Sequence, residues 1–298
     1  TRTMLESLVG KIRNRLKRHS WHVHALKRRK TALVGFFMIL LIFFVAAFAE
    51  QLAPVDPMKQ DLENALLPPS REHLFGTDGF GRDVMSNVIF GSRATLLVGV
   101  LAVGIGMLFG SVLGVTAGYF RGKVGGVIMR AMDVVLSFPM FLFALSLMAA
   151  LGQNIANVVI SIGIAFVPRF ARIVYSSALK VREMEYIDAA VTLGGRNIDI
   201  IFRHVFPNCM GSIIVVATLN IANAILIESA LSFLGVGVPV ETPTWGAIAS
   251  SGRLFIFSAP WMSVFSGLAI VIATLGFNLF GDGIRDVLDP RLRGETYV

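Results

Sequence analysis

Long blocks of apolar residues, separated by short polar stretches, dominate this chain, and the first of them runs from Thr31 to Ala49 without a charge. At about 1.5 Å per residue, such a block matches the thickness of a bilayer's hydrocarbon core. Further blocks follow at Thr95–Ala117, Val127–Leu151, Ile155–Tyr175, Cys209–Leu234 and Met262–Phe280. The pattern predicts an all-α polytopic membrane protein with six transmembrane helices. Residues 50–93 are polar and rich in proline, and a short interfacial helix is expected from Val84. Pro139 and Pro168 are expected to kink the third span and interrupt the fourth, because each removes a backbone donor.

Charge orients the blocks. Residues 1–30 carry Lys11, Arg13, Arg15, Lys17, Arg18 and the run from Lys27 to Lys30 against Glu6. Basic residues recur at Arg121 and Lys123, at Lys180, Arg182, Arg196 and Arg203, and at Arg285, Arg291 and Arg293. All fall on one side of a six-span topology, so the positive-inside rule puts both termini in the cytoplasm. In segment 50–93 acids outnumber bases, as expected of an exported loop. The resulting division is a basic cytoplasmic segment 1–30, a first span 31–49, a periplasmic loop 50–93, a core 94–282 with a cytoplasmic loop 177–208, and a cytoplasmic tail 283–298. A cleaved signal peptide is the rival reading of the start, but its apolar region would be shorter and its basic leader briefer.

Composition agrees: 55% of residues are hydrophobic and only 15% charged, well below the charge of a soluble domain. The net charge of +8 sits at the ends of apolar blocks, which disfavours a nucleic-acid-binding face. The single cysteine, Cys209, excludes an internal disulfide or a cysteine metal cluster. The five histidines lie outside the apolar blocks, and no His-Glu-x-x-His is present, so a membrane-embedded metalloenzyme is disfavoured. No Gly-x-x-x-x-Gly-Lys-Ser/Thr occurs, so the chain carries no P-loop of its own.

Within the second span, Gly106, Gly110, Gly114 and Gly118 recur every four residues and line one helix face, the pattern by which membrane helices pack closely. The partner helix is open at this level. Asp133 and Glu228 are carboxylates in or near spans, where charge is costly. For Asp133 a local pair with Arg130, three residues away, is expected. Glu228 is a candidate for the translocation pathway or for capping a broken helix. An ion-coupled carrier would use such groups; it is the alternative from a different class.

The loop 177–208 is the most informative segment. Leu179, Tyr186, Ala190 and Leu193 form a stripe at helical spacing, and Gly194-Gly195 ends that helix. A second short helix is expected to run to Phe206, with Pro207 opening the fifth span. The amphipathic pattern alone fits a docking element or a helix lying on the membrane surface.

The run Asp188-Ala189-Ala190, then Gly194, then Phe206-Pro207 resembles the EAA loop of ABC-type import permeases, with Asp188 in place of Glu and Phe206 in place of Leu. Leu74 through Asp78 with Gly81-Arg82-Asp83, Glu228 through Gly235, Pro243 through Gly246, and Phe277 through Gly283 resemble the C-type subunit of the dipeptide, oligopeptide and nickel permease group. The resemblance implies the type I ABC importer permease fold in a bacterial inner membrane. It implies a second homologous permease, two ATPases that bind ATP and Mg, and a periplasmic or lipid-anchored solute-binding protein as partners. It also implies that Glu185, Tyr186, Asp188, Ala189, Ala190, Gly194, Arg203, His204 and Pro207 couple to an ATPase. Short peptides are the expected cargo; nickel complexes, glutathione and opine-like solutes are alternatives within the class.

Overall fold

A computed structural model describes residues 30–239 and 241–288. The basic leader, including His19, His22 and His24, and the tail beyond Leu288 lie outside the described residues. The main helices among the described residues are α1 (Lys30–Ala47), α2 (Val84–Phe120), α3 (Gly122–Leu136), α4 (Met140–Leu151), α5 (Ile155–Arg182), α6 (Glu185–Thr192), α7 (Asn197–Phe233), α8 (Trp245–Arg253) and α9 (Trp261–Leu288). Five of them, α1, α2, α5, α7 and α9, are long and apolar enough to cross a membrane, and the bent pair α3–α4 adds a sixth when its two arms are counted as one span.

Several boundaries differ from the sequence expectation. No separate interfacial helix starts at Val84. The Asp83 carboxylate accepts the Ser86 N–H at 2.8 Å, capping α2, and the helix then runs unbroken into the second span. The third apolar block is not one kinked helix but two helices set 85° apart. The break falls at Ser137-Phe138-Pro139: the residue before a proline is pushed out of the helical region, and Pro139 donates nothing back. Pro168, by contrast, does not interrupt α5, which continues to Arg182. At the start of the fifth span no two-helix boundary forms. Pro207 has no N–H for the ladder, and the turn before it widens into a π-turn, Ile201–Val205, in which the Phe206 N–H reaches back to the Ile201 carbonyl. Helix α8, which no apolar periodicity announced, opens on Thr244, whose hydroxyl accepts the Ala247 N–H at 3.2 Å.

Helices α2 and α5 form the tightest pairing. A Cβ added at Gly106 would lie 2.5 Å from Phe166 Cβ, and at Gly110 2.5 Å from Phe170 Cβ. At Gly114 it would meet the Ala171 carbonyl at 2.4 Å, and at Gly118 Ala178 Cβ at 2.6 Å. These glycines therefore seat α5 directly on the backbone of α2, so their partner lies within this chain. A second seam joins α1 to α9 through Gly35 and Gly283, where added Cβ atoms would come within 2.6 Å of Phe280 N and 2.2 Å of Ala32 Cβ. Outward faces stay apolar and exposed, with Phe37 and Leu41 on α1 and Leu108 and Phe109 on α2, as a lipid or protein neighbour requires. Asp133 does not pair with Arg130. Its carboxylate contacts the Arg172 guanidinium of α5, tying the bent pair to the bundle.

Candidate coupling surface

The loop 177–208 folds into a compact element against one end of the bundle. Met184 leads into α6, whose buried face is one residue wide: Ile187 is fully buried, against Val181, Val174 and Ala178 of α5 and Ile200, Val205 and Cys209 of α7. The expected stripe is thus displaced. Tyr186 is 43% exposed and Leu193 88% exposed, while Ile187 and the partly buried Ala190 face the core. The signal was present in the spacing of Ile187 and Ala190, one turn apart, but aromatic and leucine side chains drew the stripe to the wrong face.

The end of α6 follows from Gly194. The residue sits at φ +78, a left-handed conformation that side chains rarely adopt. Its N–H donates to the Val191 carbonyl and the Gly195 N–H to the Ala190 carbonyl, both at 3.0 Å, which is the Schellman closure. Polar contacts then fix the angle of the element. Arg182 donates to the Asp188 carboxylate at 2.6 Å and lies over the Tyr119 ring. The Tyr119 hydroxyl donates to Asn197 Oδ1 at 2.9 Å, joining the end of α2 to the start of α7. Asn208 Nδ2 donates to the His204 carbonyl and, at 3.3 Å, to the Tyr186 hydroxyl, and the Tyr186 and His204 rings meet edge to face. Arg121 reaches Glu183 at 3.2 Å.

The structure brings Tyr186, Asp188, His204 and Pro207 onto this one element. Glu185, Ala189, Gly194 and Arg203 lie on its exposed side, Arg203 beside Asp199 at 3.7 Å. Around them Met184, Val191, Leu193, Ile198 and Phe202 are exposed. An exposed apolar rim of this kind is what a protein or a membrane surface covers. Tyr119, Arg182, Ile187 and Asn197, which do the seating, were not singled out from the sequence. Tyr119 and Asn197 meet across 78 positions of chain, so no local pattern marks them.

Family models account for most of the chain. Residues 110–294 match the binding-protein-dependent transport system inner membrane component, and residues 10–69 match the N-terminal TM domain of oligopeptide transport permease C. The chain belongs to this permease family of ABC importers, whose members work with ATPase and permease partners in the inner membrane. It is 43% identical to the dipeptide transport system permease protein DppC of Alkalihalophilus pseudofirmus, over 90% of this chain and 88% of that protein. It is 39% identical to the glutathione transport system permease protein GsiD of Shigella sonnei, over 93% and 92%. Inward-facing structures of the MetNI methionine ABC transporter share the fold, at a TM-score of 0.57 and 16% identity over 69% of this chain and 98% of that one. The type I importer permease fold is therefore this chain's fold.

At the opposite end of the bundle, Glu228 of α7 is fully buried and faces no open surface. The Ser232 hydroxyl donates to its carboxylate at 2.8 Å and the Ser229 hydroxyl at 3.3 Å. Thr95, on α2, and Thr244, at the head of α8, are also fully buried and lie near this carboxylate. Nearby, the polar segment packs onto the same end. Asp78 accepts from Arg82 Nε at 2.7 Å and from two backbone N–H groups, and Trp261 Nε1 donates to the Thr77 carbonyl at 3.0 Å.

Proposed function

We propose that this chain forms half of the translocation pathway of an ATP-driven importer for short peptides, and that the element 177–208 is its contact with an ATPase. The seated helix α6, ringed by exposed apolar side chains, carries the reading. A helix held by one buried isoleucine and a fixed cap moves as a rigid body, so closure of an ATPase pair transmits to α5 and α7 without being absorbed locally. ATP and Mg belong to two partner ATPase subunits. A second homologous permease completes the pathway, and a periplasmic or lipid-anchored solute-binding protein delivers the cargo at the opposite end. Both termini lie in the cytoplasm, consistent with the basic residues gathered on that side. Peptides are the favoured cargo because the dipeptide and glutathione permeases above both handle short peptide-like solutes by name.

The test is uptake of a labelled dipeptide into cells, with recovery of the tagged chain's partners. Wild type is expected to co-purify with a second permease and P-loop ATPases. Replacing Gly194 with Val forces a β-branched residue into φ +78, a strain of about 1–3 kcal/mol, and Ala189→Glu puts a charge into the docking surface. Both are expected to leave the chain in the membrane and abolish uptake. Normal uptake by both variants would remove the coupling role from this loop.

A further inference from the structure

Two exposed features share one depth in the membrane, and lipid can cover neither. The first is a polar stripe on α5. One face of this helix, with Phe166, Phe170 and Val174, is buried against the glycines of α2. Another face carries Arg169, Arg172, Ser176 and Lys180 at helical spacing, all of them exposed. Arg169 sits at the middle of the 28-residue helix, about 20 Å from either end at about 1.5 Å per residue. Arg172 is taken up by Asp133 of α3, but Arg169 makes no hydrogen bond, ion pair or ring contact among the described residues. The second feature is the break between α3 and α4. Arg121, at the head of α3, donates to Glu183, and further along Arg172 donates to Asp133. These pairs are 62 and 39 positions apart along the chain, so α3 runs antiparallel beside α5. Continued in that register, Ser137-Phe138-Pro139 comes level with Pro168-Arg169, and all three residues of the break are exposed. Irregular backbone at membrane depth persists only where protein buries it or water reaches it. An ionised side chain at that depth has the same requirement. An unpaired guanidinium level with a broken helix therefore faces a water-filled path.

We propose that Arg169 is an anion subsite in the translocation pathway, taking the C-terminal carboxylate of a short peptide as it passes the α3–α4 break. This rests on the importer reading above. The charge balance carries the choice of ligand. Asp133 is the one acid in α3 and α5, against Arg130, Arg169 and Arg172. It neutralises Arg172 and leaves Arg169 with its fork of donors free, which a carboxylate meets with two parallel hydrogen bonds. Open to water, the guanidinium holds an anion weakly, as a site on a pathway must if it is also to release what it binds.

The experiment uses the whole transporter in lipid nanodiscs, with Ser137→Cys placing a thiol at the break. Wild type is the blank, because its Cys209 is buried. Two water-soluble thiol reagents of equal size are compared, one carrying a sulfonate and one a quaternary ammonium. Both should label the variant, and the sulfonate should be favoured once each rate is divided by that with a free thiol. Adding Arg169→Gln should cut this preference by about tenfold, the effect of one nearby unit charge on probes of opposite sign. Arg169→Lys should keep it. Excess dialanine should slow sulfonate labelling while its C-terminal amide does not, and that protection should vanish with Arg169→Gln. No labelling by either reagent would put the break against lipid or protein and overturn the proposal. So would a preference that Arg169→Gln leaves unchanged, or equal protection by dialanine and its amide. Loss of the second permease from purified Arg169→Gln complexes would overturn it too, by showing an ion pair between subunits. Wild-type vesicles that take up no dialanine with ATP and loaded binding protein would instead overturn the peptide reading, and the reagent preference would still decide the anion subsite.

Discussion

The two ends of the helix bundle are built on opposite principles. At the end bearing 177–208, the polar contacts are exposed: the side chains of Arg182 and Asp188 are 24% and 67% accessible, and apolar side chains ring them. At the other end, key polar groups are enclosed: Arg82 and Asp78 are 10% and 7% accessible, and Glu228 is fully buried beneath the Ser229 and Ser232 hydroxyls. An exposed ion pair can be exchanged for contacts with a neighbour at little cost. An enclosed one cannot be broken without stranding a charge. The first end can trade its contacts at little cost, and the second holds its own shape.

That contrast is breakable by mutation. The largest effect is expected for Asp78→Ala, which leaves the buried Arg82 guanidinium and two backbone N–H groups without an acceptor. A loss of about 3–5 kcal/mol follows, read as a large drop in the melting temperature of the purified complex. A melting temperature near that of wild type would mean that this end tolerates loss of its charges, and the contrast would fail. Ile187→Ala comes next. Its cavity costs about 2–4 kcal/mol locally, and protease sensitivity of 177–208 should rise while the rest of the bundle resists. The smallest change is expected for Asp188→Ala, below about 1 kcal/mol because the pair with Arg182 is solvent-screened. Its melting temperature should match wild type at 0.5 M salt, and a large shift there would show the exposed pair to be structural.

Much of this was legible along the chain. Apolar block length predicted the spans, because the bilayer acts on local sequence. Gly194 marked the end of α6, since a left-handed cap requires a glycine at a particular place. The glycine ladder announced close packing on α2. What could not be read was the other half of each contact. Residues 106–118 do not say that α5 is their partner, and Glu228 does not say that Thr95 and Thr244 surround it. Nor does Asp133 reveal that Arg172, thirty-nine positions on, will outcompete Arg130.

Sequence by itself thus determined which segments cross the membrane and where helices cap, because burial in lipid and backbone stereochemistry act on near neighbours in the chain. Tertiary structure alone decided the face that α6 buries and which side chains enclose Glu228. Those depend on which distant side chains arrive at the same point, and hydrogen-bond and packing energies fall away within a few ångströms of contact.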